Sequence, residues 1–148
     1  MEIYDFVKES NKIEGIIREP SKEELEATRN FLELKEIKVE DLLSLVHKYT
    51  YPDWAELRCV SGMNVRVGRY IPPSGGPDIL RQLEIILKAA NTTFGMAKEI
   101  HLDYEQLHPF TDGNGRSGRT LWLWIMQTRD KKLPNLGFLH TWYYQTLA

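Results

Sequence analysis

The sequence predicts the all-α fold class with one short β-hairpin, on three observations. Apolar residues recur at a spacing of three to four over most of the chain, which is typical of amphipathic helices. Only residues 56–73 alternate as short β-strands do. The chain has 148 residues, 42% hydrophobic and 27% charged, which is enough for one hydrophobic core. We therefore expect a single domain over residues 1–148.

The first predicted helix covers residues 1–17 and ends near Gly15, because glycine favours helix C-termini. Ser10 and Glu14 lie four positions apart on its apolar face, and a buried carboxylate needs a partner. A partly exposed face with a solvated Glu14 is the alternative interpretation. The face consists of Ile3, Phe6, Val7, Ser10, Ile13, Glu14 and Ile17.

Helical periodicity also predicts scaffold helices over residues 22–34 and 39–49, and a last helix over 138–147. Acidic residues fall early in the first two, where the positive end of the helix dipole favours them. Ser21 is the candidate cap of the first.

The pattern of residues 56–73 predicts the β-hairpin. Two β-prone pieces, 57–60 and 64–70, flank the turn residues 61–63. Because an isolated hairpin is only marginally stable, a surface connector held by packing is the alternative interpretation.

Three further helices are predicted, two before the most informative segment of the chain and one after it. One begins at Asp78, its expected cap, and the next covers about 95–107 with Met96 directed toward the core. The apolar run 121–126 then predicts a central, buried helix. Gly118, at the start of that helix, indicates a close-packed neighbour.

The segment 108–119 reads His-Pro-Phe-Thr-Asp-Gly-Asn-Gly-Arg-Ser-Gly-Arg. Residues that tolerate positive φ occupy its centre, namely Gly113, Asn114 and Gly115. They allow backbone amides to converge on an anion, and a helix that begins near Gly115 adds its own positive end. Arg116 and Arg119 are three positions apart and face the same side of that helix. The sequence therefore predicts a site for nucleotide phosphates.

Three other residues of this segment suit the same chemistry. Asp112 beside a phosphate site would be repelled unless a cation lies between them, and Mg²⁺ takes few protein carboxylates. His108 titrates near neutral pH and can accept a proton from an attacking hydroxyl. Phe110 is the candidate core anchor of the loop. The alternative interpretation is a simple turn before a solvated helix.

At every fixed position the segment resembles the Fic family signature, His-x-Phe-x-(Asp/Glu)-Gly-Asn-Gly-Arg-x-x-Arg. The resemblance implies a helical fold and the transfer of AMP from Mg·ATP to a protein hydroxyl. It implies that His108 is the general base, Phe110 the core anchor and Asp112 the Mg²⁺ ligand. The remaining signature residues would bind the phosphates of ATP: Gly113, Asn114, Gly115, Arg116 and Arg119.

Two other segments resemble Fic elements outside the signature. Residues 10–15 resemble the inhibitory motif (Ser/Thr)-x-x-x-Glu-(Gly/Asn), which implies that Glu14 pairs with Arg119 and takes the place of the γ-phosphate. Residues 65–73 resemble the Fic flap, which implies that a protein target docks there by backbone pairing. Residues 1–17 would then be the inhibitory helix.

Several activities stay open at this point. The Doc branch of the family transfers phosphate, but it lacks the acidic residue and the second arginine, which are here Asp112 and Arg119. The same site could remove AMP from a modified protein, or accept another nucleotide or a choline-bearing donor. A non-catalytic Fic-fold binding module is the alternative of a different class.

Composition excludes some other functions. A net charge of −2 gives no electrostatic signal for nucleic acid or a membrane surface, and no signal peptide or membrane span is evident. We expect a cytoplasmic protein, with homo-oligomerisation left open. Cys59 is the one cysteine. The remaining histidines show no metal-ligand spacing: His47, His101 and His140.

Overall fold

The computed structural model describes residues 2–132, and this part of the chain is helical. It contains six α-helices, the last of which continues as a π-helical turn, and it has no β-strand. The helices are α1 (Ile3–Ile13), α2 (Lys22–Leu32), α3 (Val39–Thr50), α4 (Pro77–Ala90), α5 (Ala97–Leu107) and α6 (Asn114–Trp124), and the π-helical turn is Ile125–Arg129. The predicted all-α class is confirmed.

Helix α6 is the centre of the fold and contacts α1, α2, α3 and α5. Trp122 and Trp124 are buried within it, and the indole of Trp124 donates to the carbonyl of Leu34 at 2.8 Å. A Cβ at Gly118 would overlap the Glu105 carboxylate and lie 2.9 Å from the Tyr104 ring. The close neighbour predicted for Gly118 is therefore confirmed, and it is α5.

The residues at the helix ends explain which predicted caps and boundaries agree with the structure. Ser21 caps α2 by accepting from the Glu24 amide at 3.1 Å, as predicted. Asp78 does not cap α4, because Pro77 already occupies the first helical position, where its missing N–H is no loss. Met96 precedes α5 and is 67% exposed, so it does not follow the periodicity of that helix.

Helix α1 ends at Ile13 with Gly15 just after its cap, so the predicted end near Gly15 is confirmed, but the helix does not continue to residue 17. Glu14 is its C-cap, and Gly15 turns the chain with a φ of +77°. Ile17 lies beyond this turn and is 76% exposed, so its predicted place on the apolar face is wrong.

The predicted hairpin over residues 56–73 does not form two paired strands. Leu57 forms a bridge with Phe110 instead, and Val67 pairs with Tyr70 only. The reason is Arg58, which is fully buried and draws this segment toward the end of α5. Its guanidinium donates to four carbonyls at 2.7 to 3.0 Å, those of Met63, Pro73, Leu107 and His108.

Some predictions lie outside the part of the chain that the structure describes. These are the last helix over 138–147 and His140. Among residues 2–132, none of the helices has both the length and the apolar character needed to cross a bilayer.

Candidate active site

The signature residues lie in the turn between α5 and α6 and at the start of α6, and Asn114 holds the turn from inside. The Asn114 side chain accepts from the Phe110 amide and donates to the Phe110 carbonyl, both at 2.8 Å. Phe110 is fully buried, so the loop is fixed to the core at this point. Gly113 supplies the positive φ of +77° that lets α6 begin at Asn114.

The N-terminal turn of α6 borders a cavity. Ser117 is the first residue of the turn whose amide bonds back, to the carbonyl of Gly113 at 3.0 Å. The amides of Asn114, Gly115 and Arg116 consequently have no intrahelical acceptor. These three residues line a cavity of about 580 Å³. The positive end of α6 makes this place favourable for an anion.

His108 borders the same cavity and is held as a neutral imidazole. It has a φ of +52° at the C-terminus of α5, and its Nδ1 lies 3.3 Å from the carbonyl oxygen of Glu105. A carbonyl can only accept, so Nδ1 carries the proton and Nε2 keeps its lone pair. Burial lowers the pKa of His108, and although the Glu105 carbonyl opposes this, the net shift is downward. His108 is thus suited to accept a proton at neutral pH.

Arg116 is nearly buried and turns toward α3. Its Nη1 donates to the backbone carbonyl of Tyr49 at 2.6 Å, and its guanidinium lies 5.8 Å from the centre of the Tyr49 ring. The Nε of Arg116 has no hydrogen-bond partner among the residues described. Arg116 also lines the cavity, so its charge contributes there while its guanidinium is tied to the scaffold.

Arg119 is fully buried and is held by α1. Its Nε donates to the Ser10 hydroxyl at 2.8 Å, and its Nη2 donates to the Ser10 carbonyl at 2.9 Å. Nη2 also donates to the Glu14 carboxylate at 2.9 Å. The Glu14 side chain is 40% exposed on the cavity side. The two residues predicted to pair are therefore in contact.

Gly115 provides the room for this contact. A Cβ at Gly115 would overlap the Glu14 carboxylate and lie 3.1 Å from Nη1 of Arg119. The Glu14 carboxylate therefore lies directly against the first turn of α6, where the helix end favours negative charge.

A family model described as the Fic/DOC family matches residues 37–126, which is more than half of the chain and includes the whole signature. The chain belongs to the Fic/DOC family. The predicted membership is confirmed, and the matched region begins after α1 and α2. A search of curated proteins found no match to the chain.

Asp112 of this Fic/DOC family protein lies at the exposed rim of the cavity. Its Oδ1 accepts from the amide of Gly113 at 2.7 Å, which leaves the second carboxylate oxygen for another ligand. Within residues 2–132, no group of three or more His, Cys, Asp or Glu is arranged to hold a metal ion. A cation at Asp112 would therefore take its other ligands from phosphate and water, which is the coordination that Mg²⁺ prefers.

Sequence reasoning missed Glu105, a third carboxyl group in the cavity wall beside Glu14 and Asp112. Burial raises the pKa of Glu105 to about 8, despite the opposing charge of Arg119. Its Oε1 has no hydrogen-bond partner in the described part of the chain and lies 3.9 Å from Nε2 of His101. Burial lowers the pKa of His101 to about 3, so this imidazole is neutral. The available signal was that Glu105 lies only three positions before His108, in the last turn of the predicted helix.

Proposed function

We propose that this Fic/DOC protein is an adenylyltransferase that transfers AMP from Mg·ATP to a Ser, Thr or Tyr hydroxyl of a target protein. Its own Glu14 inhibits the reaction by pairing with Arg119. One observation carries the proposal: a carboxylate lies against Gly115 and Arg119 at the positive end of α6, in the same cavity as the neutral imidazole of His108. An anion already occupies the place that suits a terminal phosphate.

The reaction follows from the positions of these groups. The target hydroxyl gives its proton to Nε2 of His108 while its oxygen attacks the α-phosphorus of ATP. A new phosphorus–oxygen bond forms, the bond to pyrophosphate breaks, and the AMP stays on the protein. The backbone amides at the start of α6 stabilise the negative charge that develops on the phosphates. Mg²⁺ at Asp112 would neutralise part of the charge on the departing pyrophosphate.

Autoinhibition follows because Glu14 and a terminal phosphate compete for the guanidinium of Arg119. A terminal phosphate needs the guanidinium of Arg119, but Glu14 already accepts from its Nη2. Two anions at this position repel each other, so ATP binds productively only after the carboxylate leaves. In the closed state, ATP is held in a pose that His108 and the target hydroxyl cannot use.

The target protein docks, in this proposal, on the flap segment 65–73. Arg66 and Val67 line the cavity, and Val67, Tyr70 and Ile71 are exposed beside it. A target segment that pairs with this backbone would bring its hydroxyl toward His108 without requiring a fixed sequence.

The test uses ATP labelled on either the α- or the γ-phosphate, together with Mg²⁺ and a cell extract or the chain itself as acceptor. The parent and Glu14→Gly proteins are compared, with His108→Ala as the inactive control. Label from the α-position on protein, stronger with Glu14→Gly, supports AMP transfer. Label from the γ-position alone indicates phosphate transfer. Absence of α-label on protein with Glu14→Gly contradicts AMP transfer, and label from another nucleotide or from CDP-choline instead indicates a different donor.

A further inference from the structure

We infer that Glu24, on α2, is the positioning residue for Glu14, because it fastens the end of α1 to the scaffold. The inference rests on the proposed autoinhibition and adds the element that keeps the inhibitory carboxylate in place. Glu24 lies outside the cavity and belongs to neither the signature nor the inhibitory motif.

Three side chains converge on the Glu24 carboxylate, which is only 2% exposed. Asn11, in α1, donates to Oε2 at 2.7 Å. Arg18, after the turn, donates to Oε1 at 2.6 Å, and the Ser21 hydroxyl donates to the same oxygen at 3.1 Å. Since Asn11 precedes Glu14 and Arg18 follows it, both sides of the turn that carries Glu14 are tied to one carboxylate.

The Glu24 carboxyl is charged in this environment. Burial raises its pKa, but the hydrogen bonds from Asn11, Arg18 and Ser21 and the charge of Arg18 outweigh burial, so its pKa is lowered. An ionised carboxylate accepts from all three donors at once. Asn11 also sets the shape of the turn, because its backbone carbonyl accepts from the amides of Glu14 and Ile16 at 3.0 and 2.9 Å.

Glu24 is connected to α6 by a buried chain of hydrogen bonds. The Thr28 hydroxyl donates to the Glu24 backbone carbonyl at 2.8 Å and lies 2.6 Å from the Tyr49 hydroxyl. The Tyr49 hydroxyl lies 2.8 Å from the hydroxyl of Thr120, next to Arg119 in α6. The residue that holds α1 and the helix that carries Arg119 therefore belong to one connected network.

Helix α1 is thus held near its end at two points. Ser10 bonds to Arg119 on α6, and its neighbour Asn11 bonds to Glu24 on α2. Loss of the second point would let Glu14 leave Arg119 without any change to a residue of the active site. The state of the Asn11, Glu24 and Arg18 contacts consequently sets the fraction of molecules in which the site is open.

The sharpest test is Arg18→Ala, since Arg18 is half exposed and its replacement leaves the core intact. Lys8→Ala is the matched control, because Lys8 pairs with Glu19 at 3.4 Å on the surface of the same N-terminal region. We expect Arg18→Ala to increase AMP transfer and hydrogen exchange in residues 10–16 by about threefold to tenfold, with Lys8→Ala unchanged. Glu24→Gln, which removes the charge, should act in the same direction.

The Glu14→Gly background separates positioning from general loosening of the fold. There Arg18→Ala should give no additional transfer, because no inhibitory carboxylate remains to be released. An equal increase in both backgrounds, or unchanged exchange in residues 10–16 of Arg18→Ala, overturns the inference. Hydrogen exchange does not depend on transfer activity. It therefore tests the role of Glu24 even if Glu14→Gly proves inactive and the proposed function fails.

Discussion

The carboxylate of Glu14 and the guanidinium of Arg119 are 2.9 Å apart although 105 positions separate them in the chain. Arg119 is fully buried, whereas the Glu14 side chain is 40% exposed. This asymmetry matters, because an exposed partner can leave more easily than a buried one. Glu14 is therefore the part of the pair that can move while Arg119 stays in position.

Replacing Glu14 by Gly should raise AMP transfer by about tenfold or more, since Arg119 becomes available to a phosphate. The free energy of unfolding should fall by only about 1 kcal/mol, because the carboxylate is partly solvated and Ser10 still accepts from Arg119. Transfer from α-labelled ATP and urea unfolding measure the two effects. Glu19→Gly, at an exposed glutamate nearby, is the control, and equal activity of the two variants would contradict an inhibitory role for Glu14.

Replacing His108 by Ala in the Glu14→Gly background should reduce the transfer rate by roughly 10²–10⁴, the usual contribution of a general base. Calorimetry should show that Mg·ATP still binds, because the amides of α6 and Arg119 are unchanged. Full transfer by this variant would show that another group accepts the proton.

The transfer rate of Glu14→Gly should depend on the pKa of His108. Burial lowers that pKa below the ordinary value of 6.5. The reactive form is the neutral imidazole, so the rate rises as the pH increases through this lowered pKa and is level at neutral pH. A rate profile from pH 5 to 8 measures this, and a rising limb centred well above 6.5 would refute it.

Replacing Arg58 by Met should lower the free energy of unfolding by about 3 kcal/mol or more. The reason is that four buried or partly buried carbonyls would lose their donor at once. Urea unfolding measures the loss, and Arg81→Met, which removes an exposed ion pair with Asp78, is the control. Equal stability of the two variants would show that the Arg58 contacts add nothing.

Glu105 should make the protein less stable as the pH rises from about 4.5 to about 8, because its folded pKa is raised to about 8 from an ordinary 4.5. The unfolded chain loses this proton first, so deprotonation favours unfolding across that window. Glu105→Gln should therefore gain stability relative to the parent between pH 5 and pH 8, on the order of 3 kcal/mol. Urea unfolding at pH 5 and pH 8 measures this difference in the free energy of unfolding. Glu99→Gln, at an exposed glutamate, is the control. A relative stability of Glu105→Gln that does not change with pH would contradict the raised pKa.

Periodicity predicted the helix interiors well because burial of an apolar face is a repeating property of the sequence. It did not predict that Ile17 lies off the apolar face of α1, nor the cap of α4 or the direction of Met96, since these depend on single residues at the helix ends, such as Pro77. The hairpin failed for a tertiary reason, because Arg58 donates to the carbonyls of Leu107 and His108, far from the hairpin segment in the chain.

The candidate site was predictable where one segment holds its parts, as in residues 108–119. Contacts between distant segments were predictable only where a motif signals them, as for Glu14 and Arg119. Nothing in the sequence indicates that the Arg116 guanidinium bonds to Tyr49, or that Glu24 meets both Asn11 and Arg18. These contacts depend on how α1, α2 and α3 pack around α6.

The paired hydrogen bonds between Asn114 and Phe110 fix the shape of the loop from within the chain. A loop held in this way can keep its conformation when the group bound beside it changes. In the proposed function, the Glu14 carboxylate and a terminal phosphate are therefore alternative ligands of one preformed site, and activation requires only that one replaces the other.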